Sequence, residues 1–287
     1  MSLRRHVAGC MSAALLVLGG VAAGCGGGAD APPEAAPAAR FDAGEFAGPA
    51  SAHNAWLPLE PGLQTVREGS LNRGHRKLTH RRVYTVTDVV KRIDGVRAVA
   101  VLDQDFNGGE LAEQAIDFLA QDRRGNVWSM GSYTETYEGG QFVNATDGWL
   151  SGVDGSRAGI LLRAEPRPGM RWVESTVAGD DPEPRRVVDT GLRKCVPLRC
   201  YDDVVAIGEG ADSDEPEYKY YAPGVGGITT EPRYSGGEQE KEILVNATQL
   251  SRRGLAEMSA EALRLDTHAR TVARDVFGPS APAARDR

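Results

Sequence analysis

The chain has 287 residues, with 33 basic and 40 acidic side chains, a formal charge of −7 and four cysteines. A net acidic chain lacks the positive field that phosphate backbones and anionic headgroups require, which argues against nucleic acid and anionic lipid surfaces as partners. Beyond residue 24, no run is long and apolar enough to cross a bilayer as a helix.

Arg4 and Arg5 form a short basic start, followed by the apolar stretch Ala13-Ala14-Leu15-Leu16-Val17-Leu18 and then Ala22-Ala23-Gly24-Cys25. A basic n-region, a short apolar core and small residues before a cut define a secretory signal, and the core is too short for a membrane span. The cysteine directly after the small residues resembles the lipobox of bacterial lipoproteins, although Ala22 stands where that motif usually has Leu. The resemblance implies that residues 1–24 are removed and that Cys25 becomes the mature N-terminus. Its thiol would carry diacylglycerol with acyl chains such as palmitate. It also implies an exported, lipid-anchored location at the cell membrane or outer membrane, with the membrane as a partner through Cys25. Removing Arg4 and Arg5 with a signal that contains no acid leaves 31 basic against 40 acidic residues, a net −9. Cys10 leaves with the signal and Cys25 is lipidated. In an oxidising compartment Cys195 and Cys200 then pair, stapling a tight hairpin.

Residues 25–52 are dominated by Gly, Ala and Pro, a composition that cannot offset its ordering entropy and predicts a flexible tether. The folded domain is expected over residues 53–248, from the cluster His53-Asn54-Ala55-Trp56-Leu57-Pro58-Leu59 onward. Val66 to Lys77 is polar, with turns predicted at Glu68-Gly69 and Asn72-Arg73-Gly74. Val83–Val90 is rich in β-branched residues and Val96–Leu102 alternates. The Asp94-Gly95 pair between them is a strong hairpin signal. Glu110–Gln121 fits one helical face or one strand face. A strand is favoured, because the turn Asp122-Arg123-Arg124-Gly125-Asn126 leads into a returning strand at Val127–Thr134. Further strands are predicted at Gly159–Leu162, Arg171–Val177, Arg186–Cys195, Tyr201–Ile207, Glu217–Tyr221, Val225–Thr230 and Glu242–Asn246, punctuated by Gly and Pro pairs.

The period changes over residues 249–276. Leu255, Met258, Ala262, Leu265, Ala269 and Val272 share one helical face, with Ser251 or Ser259 as the cap. Residues 277–287 are expected to be a disordered tail. About ten close-spaced strands and one C-terminal helix predict a mainly β fold: an antiparallel curved sheet, sandwich or barrel.

The run Ala120-Gln121-Asp122-Arg123-Arg124-Gly125-Asn126-Val127-Trp128 resembles the AQDxxGNVW hairpin of a set of secreted bacterial lipoproteins with no assigned reaction. Segments like Asp154-Gly155-Ser156-Arg157-Ala158-Gly159-Ile160 and Tyr218-Lys219-Tyr220-Tyr221-Ala222-Pro223-Gly224-Val225-Gly226 follow in the same order in that set. The similarity runs from about Trp56 to Asn246. It implies a shared fold, with a strand before Gln121, and brings no reaction, cofactor or site.

Several groups could carry chemistry. Asp103, Asp105 and Asn107, with Gly108, match the first half of a calcium loop, but the twelfth position is Gln114 where a bidentate Glu belongs. An acidic turn is the alternative, and calcium is the one cofactor weakly suggested. Asp202-Asp203 reads as edge protection and Asp212–Glu217 as a solvated loop. His75 and His80 could share a zinc ion, yet Arg76, Lys77, Arg81 and Arg82 surround them in sequence and would repel a cation. No G-x-S-x-G motif, free mature cysteine or P-loop is present. Trp128, Trp149, Tyr218 and Tyr220 could line a pocket for a small apolar or sugar ligand if a curved sheet gathered them. Core packing explains them equally well, and Lys219 is expected to face solvent. A non-enzymatic binding or interaction module, with a protein or small apolar ligand as partner, therefore leads. A hydrolase using paired carboxylates such as Asp103, Glu110 or Asp154 is the second reading, and a structural or assembly partner the third.

Overall fold

The computed structural model describes residues 38–46, 53–73, 76–145, 148–210, 216–234 and 239–286. Cys10, Cys25, His75 and the acidic run 212–215 lie outside the described residues. The first five strands are β1 (Leu63–Arg73), β2 (Arg76–Ile93), β3 (Val96–Asn107), β4 (Glu110–Gln121) and β5 (Val127–Glu138). Four short strands follow: β6 (Gln141–Asn144), β7 (Trp149–Leu150), β8 (Gly159–Leu162) and β9 (Arg171–Val173). The second half contributes β10 (Pro184–Cys195), β11 (Cys200–Glu209), β12 (Glu217–Ala222), β13 (Gly226–Pro232) and β14 (Gln239–Gln249). Helices α1 (Arg252–Val272) and α2 (Arg274–Phe277) precede a last short strand, β15 (Ala284–Arg285). No helix among the described residues is long and apolar enough to cross a membrane.

The fold is one antiparallel, curled sheet whose ladder runs β6-β5-β4-β3-β2-β1-β14-β13-β12-β11-β10-β9. Near-neighbour hairpins build each half, and β1 joins them by pairing with both β2 and β14. Asp94 and Gly95 adopt φ of 48° and 81° at the β2–β3 turn, the left-handed geometry that a two-residue hairpin requires. The curl brings the ends of the ladder together. β8 pairs with β5, and Arg157 and Thr176 then exchange backbone hydrogen bonds in an isolated bridge. Gly159 in β8 lies so close to the Glu174 carbonyl that any Cβ would fall 1.8 Å from its oxygen, so only glycine allows this seam.

Three of the segments singled out from the sequence hold this architecture. Asp122 accepts bonds from the Arg124 and Asn126 amides, the Asn126 side chain and Trp128 Nε1, which fixes the β4–β5 turn. The segment Asp154–Ile160 forms the seam, and Tyr218–Gly226 forms the β12–β13 hairpin.

Helix α1 packs on β2 to β5 and is capped by Ser251, whose hydroxyl accepts from the Gly254 amide. Its buried face holds Ala262, Leu265 and Ala269 as the periodicity predicts, but also Asp266. Asp266 binds Lys91 of β2 at 2.8 Å, and Lys91 also donates to the Ala281 carbonyl. The Ala283 amide donates to Asp266. These bonds correct the expected disordered tail: it is drawn back by a buried ion pair, and β15 then pairs with Val89 and Val90. The expected tether is also partly ordered. Ala38 bridges to Val173, and Phe41 and Phe46 pack edge-on to Trp128, so these large apolar residues of that stretch are half-buried against the sheet. Glu68-Gly69 is strand, not turn, because β1 runs unbroken between its two partners.

Candidate functional site

Residues that pair directly across an antiparallel ladder share a face. That rule puts Arg82 with Asp105 and Arg67, Tyr84 with Asp103, and His80 with Asn107 on the face of β1, β2 and β3 opposite α1. The curl makes this face an interior. Asp117 of β4 comes within electrostatic reach of Glu174, which follows β9 at the other end of the ladder. The interior is ionic rather than oily along much of its length.

Arg82 is its centre on the β2 side. Its Nε and Nη2 donate to both oxygens of Asp103 at 2.8–3.0 Å, and both side chains are buried. Asp105 lies 3.4 Å from Arg82 Nε, and Glu240 and Glu242 of β14 lie 3.5 and 3.8 Å from its Nη1. Glu242 is held through Oε1, which meets Arg67 Nε at 3.0 Å and the Thr230 hydroxyl at 3.1 Å. His80 completes the group. Its Nδ1 is 2.8 Å from Asn107 Oδ1, while Nε2 points at Glu240 Oε1 (3.5 Å), Glu242 Oε2 (3.7 Å) and Asp105 Oδ1 (3.9 Å). One ligand atom from each of His80, Glu240 and Glu242 falls within 4.8 Å of the others.

Gly69 makes this convergence possible. It sits between His80 and Glu242 in the ladder, paired to both, and presents no side chain to the space they share. A Cβ there would strike the Lys241 carbonyl oxygen at 1.7 Å. Burial acts to lower the His80 pKa, but the carboxylates of Glu240, Glu242 and Asp105 that face Nε2 outweigh it and hold the imidazole up to about 11. Burial, with Asp103 and Glu240 beside it, raises the Asp105 carboxyl against the pull of Arg82.

A second ionic group faces the same interior from β10 to β12. Arg185 binds Glu174 and Glu209, and Lys219 binds Glu209 at 2.5 Å, with Tyr221 nearby. Burial acts to raise Glu209, but Arg185 and Lys219 overcome it and hold the carboxyl below its usual range.

No protein-family model matches the chain, and no curated protein matches it. Solved structures that overlap it include the following three. A candidate exported protein with a YmcC-like fold from Bacteroides fragilis is 13% identical, over 68% of this chain and 99% of that one, with a TM-score of 0.40. A candidate lipoprotein from Parabacteroides distasonis is 14% identical, over 69% and 100% of the two chains, with a TM-score of 0.38. A β-barrel-like domain of unknown function from Brucella abortus is 12% identical, over 66% and 98%, with a TM-score of 0.38. At these scores the overlaps add nothing to the reading of the site.

The structure redistributes the residues singled out from sequence. Asp103, Asp105 and Asn107 do not form a calcium loop. They lie at alternate positions of β3, so all three face the interior, where Asp103 serves Arg82 and Asn107 serves His80. Trp128 and Trp149 are buried on β5 and β7, whereas Tyr218 and Tyr220 sit on β12 against Arg233 and Lys194, so the four aromatics line no common pocket. Lys219 faces the interior and not solvent, because the alternation that turns Tyr218 and Tyr220 to the other face of the sheet turns it in. Cys195 and Cys200 are bonded at the tip of the β10–β11 hairpin. Of the site residues, Arg67, Glu240 and Glu242 carry no local signal, and β14 is identifiable only as a strand.

Proposed function

We propose that this chain is an exported bacterial envelope lipoprotein, cut before Cys25 and held to a membrane by diacylglycerol on that thiol, and that its β domain is an interaction module rather than an enzyme. The Cys195–Cys200 bond supports the oxidising compartment and leaves Cys25 as the remaining mature cysteine. The resemblance of the AQDxxGNVW, Asp154–Ile160 and Tyr218–Gly226 segments to those of secreted lipoproteins supports the same reading.

The observation that carries the non-enzymatic part is the placement of the acids. Asp103 is engaged bidentately by Arg82 inside the sheet. Glu110 stands exposed at the β3–β4 turn, and Asp154 is exposed in the turn before β8. No two of these three face each other across a cleft, as paired-carboxylate hydrolysis needs. Two shallow concavities flank α1 instead, one lined by Arg270, Arg274 and Asp275, the other by Leu263, Arg264, Thr267 and His268. Such mixed, charged linings suit a protein surface better than a small apolar ligand.

The test is the mass of the N-terminal peptide from membrane-extracted protein. The expected species begins at Cys25 and carries a thioether-linked diacylglycerol, and Cys25→Ser should move the chain into the soluble exported fraction. A mature N-terminus elsewhere, or an unmodified Cys25 thiol in membrane-bound protein, overturns the proposal.

A further inference from the structure

We propose that His80, Glu240 and Glu242 hold a divalent transition-metal cation of the zinc class, through His80 Nε2, Glu240 Oε1 and Glu242 Oε2, with Asp105 Oδ1 in the fourth position. The inference is independent of the lipid anchor and of the interaction reading, because it rests on the interior alone.

Four features support it. First, His80 is almost fully buried, and its Nε2 makes no hydrogen bond, although it points into three carboxylates. Glu242 Oε2 is also buried without a hydrogen-bond partner and faces that nitrogen, as does Asp105 Oδ1, which lies in addition 3.4 Å from Arg82 Nε. Buried polar atoms left in this way require an explanation, and an ion is one of the few available. Second, the groups behind them are arranged as a metal's outer shell. A metal would displace the proton that the carboxylates hold on Nε2, while the Nδ1 proton donated to Asn107 keeps the ring oriented, and Arg67 and Thr230 occupy Glu242 Oε1 and leave Oε2 toward His80.

Third, the spacing fits. Tetrahedral zinc with bonds of about 2.0–2.1 Å sets its ligand atoms about 3.3 Å apart. The separations from His80 Nε2 are 3.5, 3.7 and 3.9 Å, a few tenths of an ångström longer than that, and the Glu240 and Glu242 oxygens lie within 4.8 Å of each other. An imidazole among carboxylates favours zinc and its neighbours over calcium or magnesium, which take oxygen shells. Fourth, the charge is short of balance. With Asp105 ionised, Asp103, Asp105, Glu240 and Glu242 carry four negative charges, against the guanidiniums of Arg67 and Arg82 and the protonated His80 imidazole. Exchanging the His80 proton for a dication supplies the one positive charge still lacking.

The test uses the full-length chain, extracted in detergent, stripped with EDTA and titrated with Co²⁺ and then Zn²⁺. The expected result is one metal per chain by elemental analysis after dialysis, with visible Co²⁺ bands of four-coordinate type that Zn²⁺ abolishes. His80→Gln and Glu240→Gln should each weaken binding by at least about 100-fold, and Asn107→Ala by about 10–100-fold through loss of ring orientation. Glu240 is the most exposed of the four proposed ligands, so Glu240→Gln decides the matter if His80→Gln fails to fold. Absence of stoichiometric metal in wild-type protein overturns the proposal, as does binding unchanged in a folded Glu240→Gln or His80→Gln variant.

Discussion

Strand β2 carries a buried cation on each face, and the two are treated differently. Lys91, on the face under α1, meets a single carboxylate and a carbonyl, with the rings of Phe118 and Phe277 5.9 and 5.7 Å away. Every charge there has its partner, and the unit is closed. Arg82, on the interior face, sits among Asp103, Asp105, Glu240 and Glu242, with His80 alongside. There the acids outnumber the guanidiniums, and Asp105 Oδ1 and Glu242 Oε2 are buried without a hydrogen bond. A closed pair serves to position elements, here α1 and the C-terminal segment. An acid-rich group with spare lone pairs has capacity left for a cation.

The largest effect expected from this contrast is at Arg82. Arg82→Met leaves four carboxylates facing one another with little compensation, a loss of at least about 5 kcal/mol by analogy with broken buried pairs. That is of the order of a whole domain's stability. Urea denaturation at pH 7 should find the variant largely unfolded; a loss under about 2 kcal/mol would show that the interior is far better hydrated than its burial implies. Asp266→Asn should cost less, about 3–5 kcal/mol, because one cation is stranded. The double variant Lys91→Met/Asp266→Leu sharpens the comparison, since a closed pair can be exchanged for apolar volume. It should recover at least half of the single-variant loss, while hydrogen exchange shows β15 released from Val89 and Val90. Strictly additive losses would contradict the idea of a closed unit.

The strands were legible because local pattern and tertiary role agree. The Asp94-Gly95 turn, the β-branched run of β2 and the Glu110–Gln121 strand all appear where alternation and turn residues place them. The site was not legible, for two physical reasons. Along the chain His80 is surrounded by Arg81 and Arg82, which argues against a cation. In a strand, however, Arg81 points to the opposite face and is 47% exposed, while Arg82 is neutralised by Asp103. The partners Glu240 and Glu242 are far along the chain and come to His80 only because β14 pairs with β1 across Gly69, a residue that reads locally as a turn. The ordered tail was missed likewise: Asp266 looks like a solvent-facing residue of an amphipathic helix until Lys91 is placed beneath it.

The smallest expected effect lies at the margin between the two regions, at Asp117 of β4. Its carboxyl accepts from the Ser132 hydroxyl at 2.7 Å, yet burial, with the charge of Asp103 second, pushes its pKa up to about 6. An unfolded Asp titrates near about 3.9. Between these values the native state holds a proton that the unfolded state has released, so stability falls as pH rises from about 4 to about 6, and the penalty is complete above that. Asn cannot ionise and can still accept from Ser132. Asp117→Asn should therefore match wild type near pH 3.5 and exceed it above pH 6. The gain should be about 1–2 kcal/mol, less than the full shift implies because the side chain is only half-buried. Urea midpoints taken across this range read the difference directly. A gain that is flat with pH would assign it to packing, and a loss at pH 7 would mean that the charged carboxylate is needed, placing Asp117 among the groups whose negative charge the interior uses.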